Sequence, residues 1–193
     1  MVFDANDSRA SDSEFAPAIS VVVAYEDLEA GKYARGVCAS LERNLGEKNC
    51  FLSELWKFDL LAVPGFREIA AHDAALADII FISCHGSADM PAEVKAWVEL
   101  WLGRQAAACA LVALFDRSAE SARRLGAIQD YLATVAKRGG MEFFAQPDVW
   151  PDNPAARARS ARGPSVRLES EVAFLVAAVA ARHEFVDHWG LNE

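Results

Sequence analysis

Two carboxylates and a histidine in distant parts of the sequence carry the groups needed for acid–base chemistry. Glu26 and Asp27 follow the first apolar run, and His85 follows the third, two residues before Ser87. A carboxylate, a histidine and a serine can form a nucleophilic triad, and carboxylates with a histidine can also bind a divalent metal ion. The chain has no GxSxG nucleophile motif. A histidine that only hydrogen-bonds to a neighbouring carboxylate or loop carbonyl is therefore the favoured interpretation.

The elements that would position these residues alternate between short apolar runs and segments of helical periodicity. From residue 19 onward the alternation repeats five times, which is typical of βα units and a parallel sheet. The predicted strands are residues 19–25, 50–56, 78–84, 109–115 and 141–145. Helical spacing predicts that the second helix buries Phe66, Ile69, Ala70 and Leu76.

Five βα units with right-handed crossovers predict an α/β fold in which helices cover both faces of a five-stranded parallel sheet, a three-layer α/β/α sandwich. The commonest strand order at this size is 2-1-3-4-5. Ligands of such sheets bind outside the carboxyl ends of the strands, near the switch between strands one and three. The candidate ligand-binding residues are therefore those that end or follow the strands: Tyr25, Glu26, Asp27, His85, Gly86, Ser87, Asp116 and Gln146.

One segment resembles a known superfamily. Residues 77–102, ADIIFISCHGSADMPAEVKAWVELWL, resemble the third strand, loop and helix of the flavodoxin-like FMN reductases and quinone reductases. In those families an apolar strand preceded by Ala-Asp leads through a proline turn into an amphipathic helix with an aromatic residue. The resemblance implies a flavodoxin-like fold. It also implies FMN as the cofactor to consider and an atypical FMN-dependent oxidoreductase as the alternative function.

The loop after the first strand departs from that superfamily, where it is rich in Ser, Thr and Gly and holds the FMN phosphate. Here residues 25–32 read YEDLEAGK, with three carboxylates and no Ser or Thr. A phosphate beside these carboxylates would meet a repulsion of roughly 4 kcal/mol per charge pair, taking 4 Å and an effective dielectric constant of 20. Lys32 alone does not offset this repulsion. The sequence therefore predicts that the chain binds no cofactor.

The chain is also similar in topology to the receiver domains of response regulators. Glu26 and Asp27 resemble the acidic pair that binds Mg²⁺ in that family. The position of the phosphoacceptor aspartate falls on Ser83, and Gln146 stands before Pro147 where the family has a lysine. Because one of these three features is retained, a receiver-like role would be independent of phosphorylation.

Composition sets the expected domain organisation. Residues 1–17 are polar and acidic apart from a few apolar side chains, which predicts a disordered tail. Residues 18–193 are long enough for one domain. Within that domain, residues 147–165 hold four prolines and predict an irregular excursion, and an apolar segment from about residue 166 predicts a C-terminal helix.

Charge limits the classes of partner. The formal net charge of −9 and the pI near 5.0 disfavour nucleic acid and an anionic membrane surface. The first residues lack the basic start and apolar run of a signal peptide, so we expect a cytoplasmic protein with reduced, mostly structural cysteines. Five tryptophans, with Trp97 and Trp101 four residues apart, raise the expectation of a homodimer surface, although such a pair is more often core.

These observations predict a flavodoxin-like or receiver-like module that is not catalytic and that binds a protein partner or a small molecule. No metal ion is expected. The alternative is the FMN-dependent oxidoreductase implied by residues 77–102, and a third hypothesis makes Glu26, Asp27 and His85 a metal or hydrolytic site.

Overall fold

Strands and helices alternate along the part of the chain that the structure describes. The computed structural model describes residues 18–45, 50–85, 89–104, 107–115 and 125–146. Its strands are β1 (Ala18–Tyr25), β2 (Cys50–Lys57), β3 (Ile79–Cys84), β4 (Ala110–Phe115) and β5 (Glu142–Gln146). Its helices are α1 (Leu28–Leu45), α2 (Phe58–Leu61), α3 (Pro64–Leu76), α4 (Ala92–Leu102) and α5 (Leu125–Gly139). The predicted tail, excursion and C-terminal helix lie outside the described residues.

The sheet has the order β2-β1-β3-β4-β5, and every neighbouring pair is parallel. This confirms the predicted order 2-1-3-4-5. All residues of β3 and β4 are buried, as expected for central strands whose two faces are both covered. The sequences of these strands, IIFISC and ALVALF, are apolar apart from Ser83 and reflect that double burial.

Helices lie on both faces of the sheet and give two separate parts of the core. On one face the buried side of α1, including Ala34, Cys38 and Leu41, packs against β1, β3 and β4. On the other face α3, α4 and α5 cover the alternate residues of the same strands. Because side chains alternate along each strand, β1, β3 and β4 each contribute buried residues to both parts of the core.

Helix α3 faces the core with different residues from those predicted. Ala70 is buried as expected, together with Ala71, Ala74 and Ala75. The prediction that Phe66, Ile69 and Leu76 are buried is wrong, since these side chains are 45%, 52% and 63% exposed. Small alanine side chains let the helix axis approach the sheet and α4 closely, so the larger apolar residues are left on the outer face.

Helix α4 carries the two tryptophans whose spacing suggested either core or interface. Trp97 and Trp101 are both fully buried, and their rings form an edge-to-face pair with centroids 5.9 Å apart. Neither indole N–H has a hydrogen-bond acceptor among the described residues. These two residues therefore belong to the core, and they provide no dimer surface.

The sheet is also tied together at the edge where its strands begin. Asp78, just before β3, accepts hydrogen bonds from the backbone N–H of Ser20 (2.8 Å) and from its hydroxyl (3.1 Å). The backbone carbonyl of Asp78 accepts from the N–H of Cys109, before β4, at 2.9 Å. One aspartate therefore links the starts of three adjacent strands.

No helix among the described residues is long and apolar enough to cross a lipid bilayer.

Candidate functional site

The candidate site lies where β1 and β3 end side by side. Their register pairs Tyr25 with Ser83, and the N–H of Glu26 donates to the carbonyl of Ser83 at 2.9 Å. The backbone pairing of β1 with β3 therefore continues for one residue beyond the end of β1. This extension brings Glu26 and Asp27 next to His85, the first residue after β3.

Glu26 binds the backbone of the neighbouring loop. One of its carboxylate oxygens, Oε2, accepts from the N–H of His85 at 2.7 Å. A short bond to an ionised acceptor is stronger than a bond between neutral groups. The Glu26 side chain therefore holds the start of the loop after β3 against the loop after β1.

Asp27 uses both of its carboxylate oxygens. Oδ1 accepts from the N–H groups of Glu29 and Ala30, each at 3.0 Å, so Asp27 is the N-cap of α1. Oδ2 lies 3.0 Å from Nε2 of His85. The negative carboxylate also sits at the positive end of the helix dipole. The pKa of Asp27 is below its usual value, first because Ala30 donates to it and then because His85 does.

This lowered pKa predicts a pH dependence of stability. An aspartate whose pKa is lower in the folded state stabilises the fold above its unfolded value, and that stabilisation is lost as pH falls through the folded pKa. We expect Asp27→Asn to lower the free energy of unfolding by roughly 0.5–1 kcal/mol at neutral pH, a small effect because the side chain is half exposed. The difference from wild type should shrink as pH falls below about 4, the ordinary value for Asp.

Urea unfolding at a series of pH values measures this difference, and Asp27→Ser is the matched variant. Serine also caps a helix but carries no charge, so both variants should show the same weakened acid dependence. Stability curves for wild type and both variants that stay parallel between neutral pH and pH 3 would show that the Asp27 charge contributes nothing.

Two further contacts fix the first turn of α1 beside these residues. The hydroxyl of Ser83, which is buried, donates to the carbonyl of Ala30 at 2.9 Å. The ring of Tyr25 packs so closely on Gly31 that an added Cβ would lie 2.8 Å from Cδ2 of the ring. Ser83 stands where a receiver domain has its phosphoacceptor, and here that side chain is buried and hydrogen-bonded.

Lys57 joins the same edge from β2, where residues 56–61 were expected to continue at the rim beside Glu26. It is the register partner of Tyr25, at the end of β2. Its ammonium group pairs with Asp59, which raises the pKa of Lys57, and Tyr25 and Asp27 add weaker attraction. The sequence indicates this position because β2 is parallel to β1, so both strands end at the same edge of the sheet.

The segment around Lys57 also contains a short helix that was not predicted. Residues 56–61 were expected to continue after β2 at the rim of this edge, with aromatic side chains that line a small pocket or close the sheet. They instead end β2 and form α2, whose Phe58 and Leu61 are buried in the core.

Part of the predicted set lies outside the described residues. The structure does not describe Gly86, Ser87 or Asp116, so a nucleophilic triad that includes Ser87 stays a prediction. Gln146 is the last residue of β5, and its backbone pairs with Leu114. Tyr25, Glu26, Asp27 and His85 are brought together as described above. Among the described residues no group of three or more His, Cys, Asp or Glu side chains could hold a metal ion.

The strand order, with helices on both faces and the candidate site at the β1–β3 switch, is that of a flavodoxin-like fold. No protein-family model and no curated protein matches the chain.

Two solved structures have a similar chain path. Rubredoxin oxygen:oxidoreductase from Desulfovibrio gigas is 16% identical with a TM-score of 0.47, over 85% of this chain and 38% of that one. Smu.1420 from Streptococcus mutans UA159 is 9% identical with a TM-score of 0.45, over 79% of this chain and all of that one. The chain thus spans little more than a third of the first of these proteins.

Proposed function

We propose that this chain is a non-catalytic, flavodoxin-like binding module that works without flavin and receives a protein partner or a small molecule at the β1–β3 edge. One observation carries the proposal: the carboxylate of Asp27 occupies two backbone N–H groups of the loop that would hold a phosphate, and the carboxylate of Glu26 stands beside it. Asp27 accepts from Glu29 and Ala30, and Glu26 accepts from His85.

The N-terminus of a helix binds anions because its first N–H groups lack partners within the helix. In α1 the carboxylate of Asp27 already meets two of these groups. A phosphate would have to displace it, at a cost of roughly 0.5–2 kcal/mol for the lost cap. The displaced carboxylate and Glu26 would then repel the phosphate. Both effects oppose FMN.

The same geometry favours a ligand that carries positive charge or several hydrogen-bond donors. The side chains of Asp27 and His85 are 49% and 37% exposed, so their polar atoms remain accessible while they contact each other. Lys57, the nearby cation, is already paired with Asp59. An amine or guanidinium group of a partner would therefore meet a carboxylate rather than a competing positive charge.

Catalysis by a nucleophile receives no support from the strand that leads into the site. Ser83 and Cys84 are the two nucleophilic side chains that β3 places next to His85, and both are buried. Ser83 also donates its hydroxyl proton to Ala30. A covalent mechanism with a serine or cysteine nucleophile beside His85 would therefore need that residue from outside β3.

A flavin titration tests the proposal. We expect the purified protein to be colourless and to leave the fluorescence of FMN unchanged at flavin concentrations near 10 μM, because the carboxylate of Asp27 occupies two amides of the phosphate loop and Glu26 adds a second negative charge. Riboflavin is the matched ligand, since it carries the same ring system without the phosphate. Isothermal calorimetry gives an independent measurement of both affinities.

The outcomes separate the proposal from the alternative of an FMN-dependent oxidoreductase. A yellow protein, or an FMN dissociation constant below about 10 μM, would overturn the flavin-free module. Binding of riboflavin without FMN would show that the ring is accepted and that charge at Glu26 and Asp27 rejects the phosphate. Absence of both interactions would remove the oxidoreductase alternative.

A further inference from the structure

A band of large apolar side chains is exposed along one side of the molecule. Its members lie on β2, on α2, between α2 and α3, and on the outer face of α3. Each is 40–63% exposed. This apolar band consists of Leu52, Leu60, Val63, Phe66, Ile69 and Leu76.

The part of the band on α3 is a stripe that Asp73, at position i+7 from Phe66, interrupts. Phe66, Ile69 and Leu76 stand at positions i, i+3 and i+10, which fall on one side of an α-helix. That side is opposite the buried alanines described above. The helix is therefore apolar on both sides, while only one side contacts this chain's core.

Strand β2 continues the band beyond the helix. Leu52 is the register partner of Ser20, whose hydroxyl donates to the carbonyl of Leu76 at 3.3 Å. Further along β2, the indole of Trp56 donates to Asp73 of α3 at 3.1 Å. The contact of Trp56 fixes the edge strand beside α3, and the contact of Ser20 fixes β1 to the end of the same helix.

Three of the charged groups on α3 next to the band have hydrogen-bond partners within the chain. Asp73 accepts from Trp56, Glu68 pairs with Arg104, and Arg67 donates to the carbonyl of Leu61. Covering the band would therefore leave these three groups with partners. The positive and negative charges around the band also nearly cancel. Two copies of this strongly acidic chain can therefore meet there with little of the repulsion that a net charge of −9 produces elsewhere.

The area is sufficient for a dimer. Six side chains of this size at about half exposure amount to roughly 500 Å² of apolar surface, near the upper end of the largest patch on a typical monomer. Two such bands facing each other would bury about 1,000 Å² before the rim is counted, which meets the lower limit for a specific interface.

We propose that the apolar band is the interface with a second copy of this chain, related by a two-fold axis that crosses α3 near its middle. Antiparallel packing of the two α3 helices places Phe66 of one copy against Leu76 of the other, twice, and brings Ile69 near Asp73 of the other copy, whose carboxylate accepts from Trp56. The stripe has apolar residues at both ends and is therefore complementary to itself, as a two-fold interface requires.

Sedimentation equilibrium of the full chain tests the interface. We expect a dimer with a dissociation constant at or below roughly 100 μM, given the area. Ile69→Glu should raise this constant by at least about a hundredfold, because symmetry places each new carboxylate beside Asp73 of the other copy. Leu76→Glu, at the other end of the stripe, should act in the same direction. Both sites are exposed, so the circular dichroism of each variant should match wild type.

Leu28→Glu is the matched control, since Leu28 is an exposed leucine on α1 outside the band. It should leave the dissociation constant unchanged. A wild-type chain that stays monomeric at roughly 300 μM would overturn the proposal. So would a dimer that Ile69→Glu and Leu76→Glu do not weaken, because its interface would lie elsewhere. A wild-type monomer that binds a different protein through the band would equally show that the second copy is the wrong occupant.

Discussion

Replacing Trp97 with alanine is expected to lower the free energy of unfolding by about 3–5 kcal/mol. Trp97 is fully buried between α4 and the sheet, and its ring packs edge-to-face on Trp101. Truncation removes the buried ring surface and leaves a cavity that the surrounding side chains can fill only in part. Urea unfolding at a fixed protein concentration measures the change, and thermal unfolding should show a midpoint lower by roughly 10 °C.

Two further variants separate loss of packing from other causes. Trp97→Phe keeps an aromatic ring and removes an indole N–H that has no acceptor among the described residues, so its cost should stay below about 2 kcal/mol. Leu28→Ala shortens an exposed side chain and should change stability by no more than about 0.5 kcal/mol. Equal losses for Trp97→Ala and Trp97→Phe would show that the polar N–H, and not the ring volume, matters at this position.

The central strands were predictable because their sequence reports burial directly. The runs that became β3 and β4 are apolar at every position or nearly so, and only strands covered on both faces tolerate this. Their predicted order was the commonest arrangement of five right-handed βα units at this size. The apolar run of each strand and the order of the strands therefore predict the same sheet.

Helix α3 was predictable in extent but not in orientation. Periodicity identifies a stripe of large apolar residues, and such a stripe ordinarily faces the core. In α3 the alanines occupy the opposite side, and close packing against α4 and the sheet favours the smaller residues. A sequence with two apolar sides does not reveal which one faces inward. Helix α2 was missed because four residues are too few to show any helical period.

The location of the candidate site could be predicted from the sequence, but the hydrogen bonds within it could not. Parallel strands end at one edge, so residues after β1 and β3 had to meet there. Glu26 and Asp27 bind different backbone groups, and which groups each one binds depends on backbone geometry that the sequence does not show. The capping role of Asp27 did have a signal, because Asp is a preferred N-cap residue and a helix follows it directly. The paired extension through Glu26 had none.

Replacing Asp78 with alanine is expected to lower the free energy of unfolding by about 2–3 kcal/mol. Its carboxylate accepts from both the backbone N–H and the hydroxyl of Ser20. Without it, a partly buried backbone donor at the start of β1 loses its partner. Asp78→Asn retains one acceptor oxygen and should cost only about 1 kcal/mol. A double-mutant cycle with Ser20→Ala measures the coupling, expected at roughly 0.5–3 kcal/mol for groups in direct contact.

The same variant tests whether the two edges of the sheet are independent. Asp78 lies at the start of β3 and His85 just beyond its end, a separation of roughly 20 Å along an extended strand. Loss of the Asp78 contacts should therefore destabilise the sheet without changing the contact between His85 and Asp27. The imidazole resonances of His85 in NMR spectra should keep their chemical shifts in Asp78→Ala. Displaced resonances at temperatures well below unfolding would mean that the binding edge depends on the opposite edge for its geometry, and that stability and recognition cannot be altered separately in this fold.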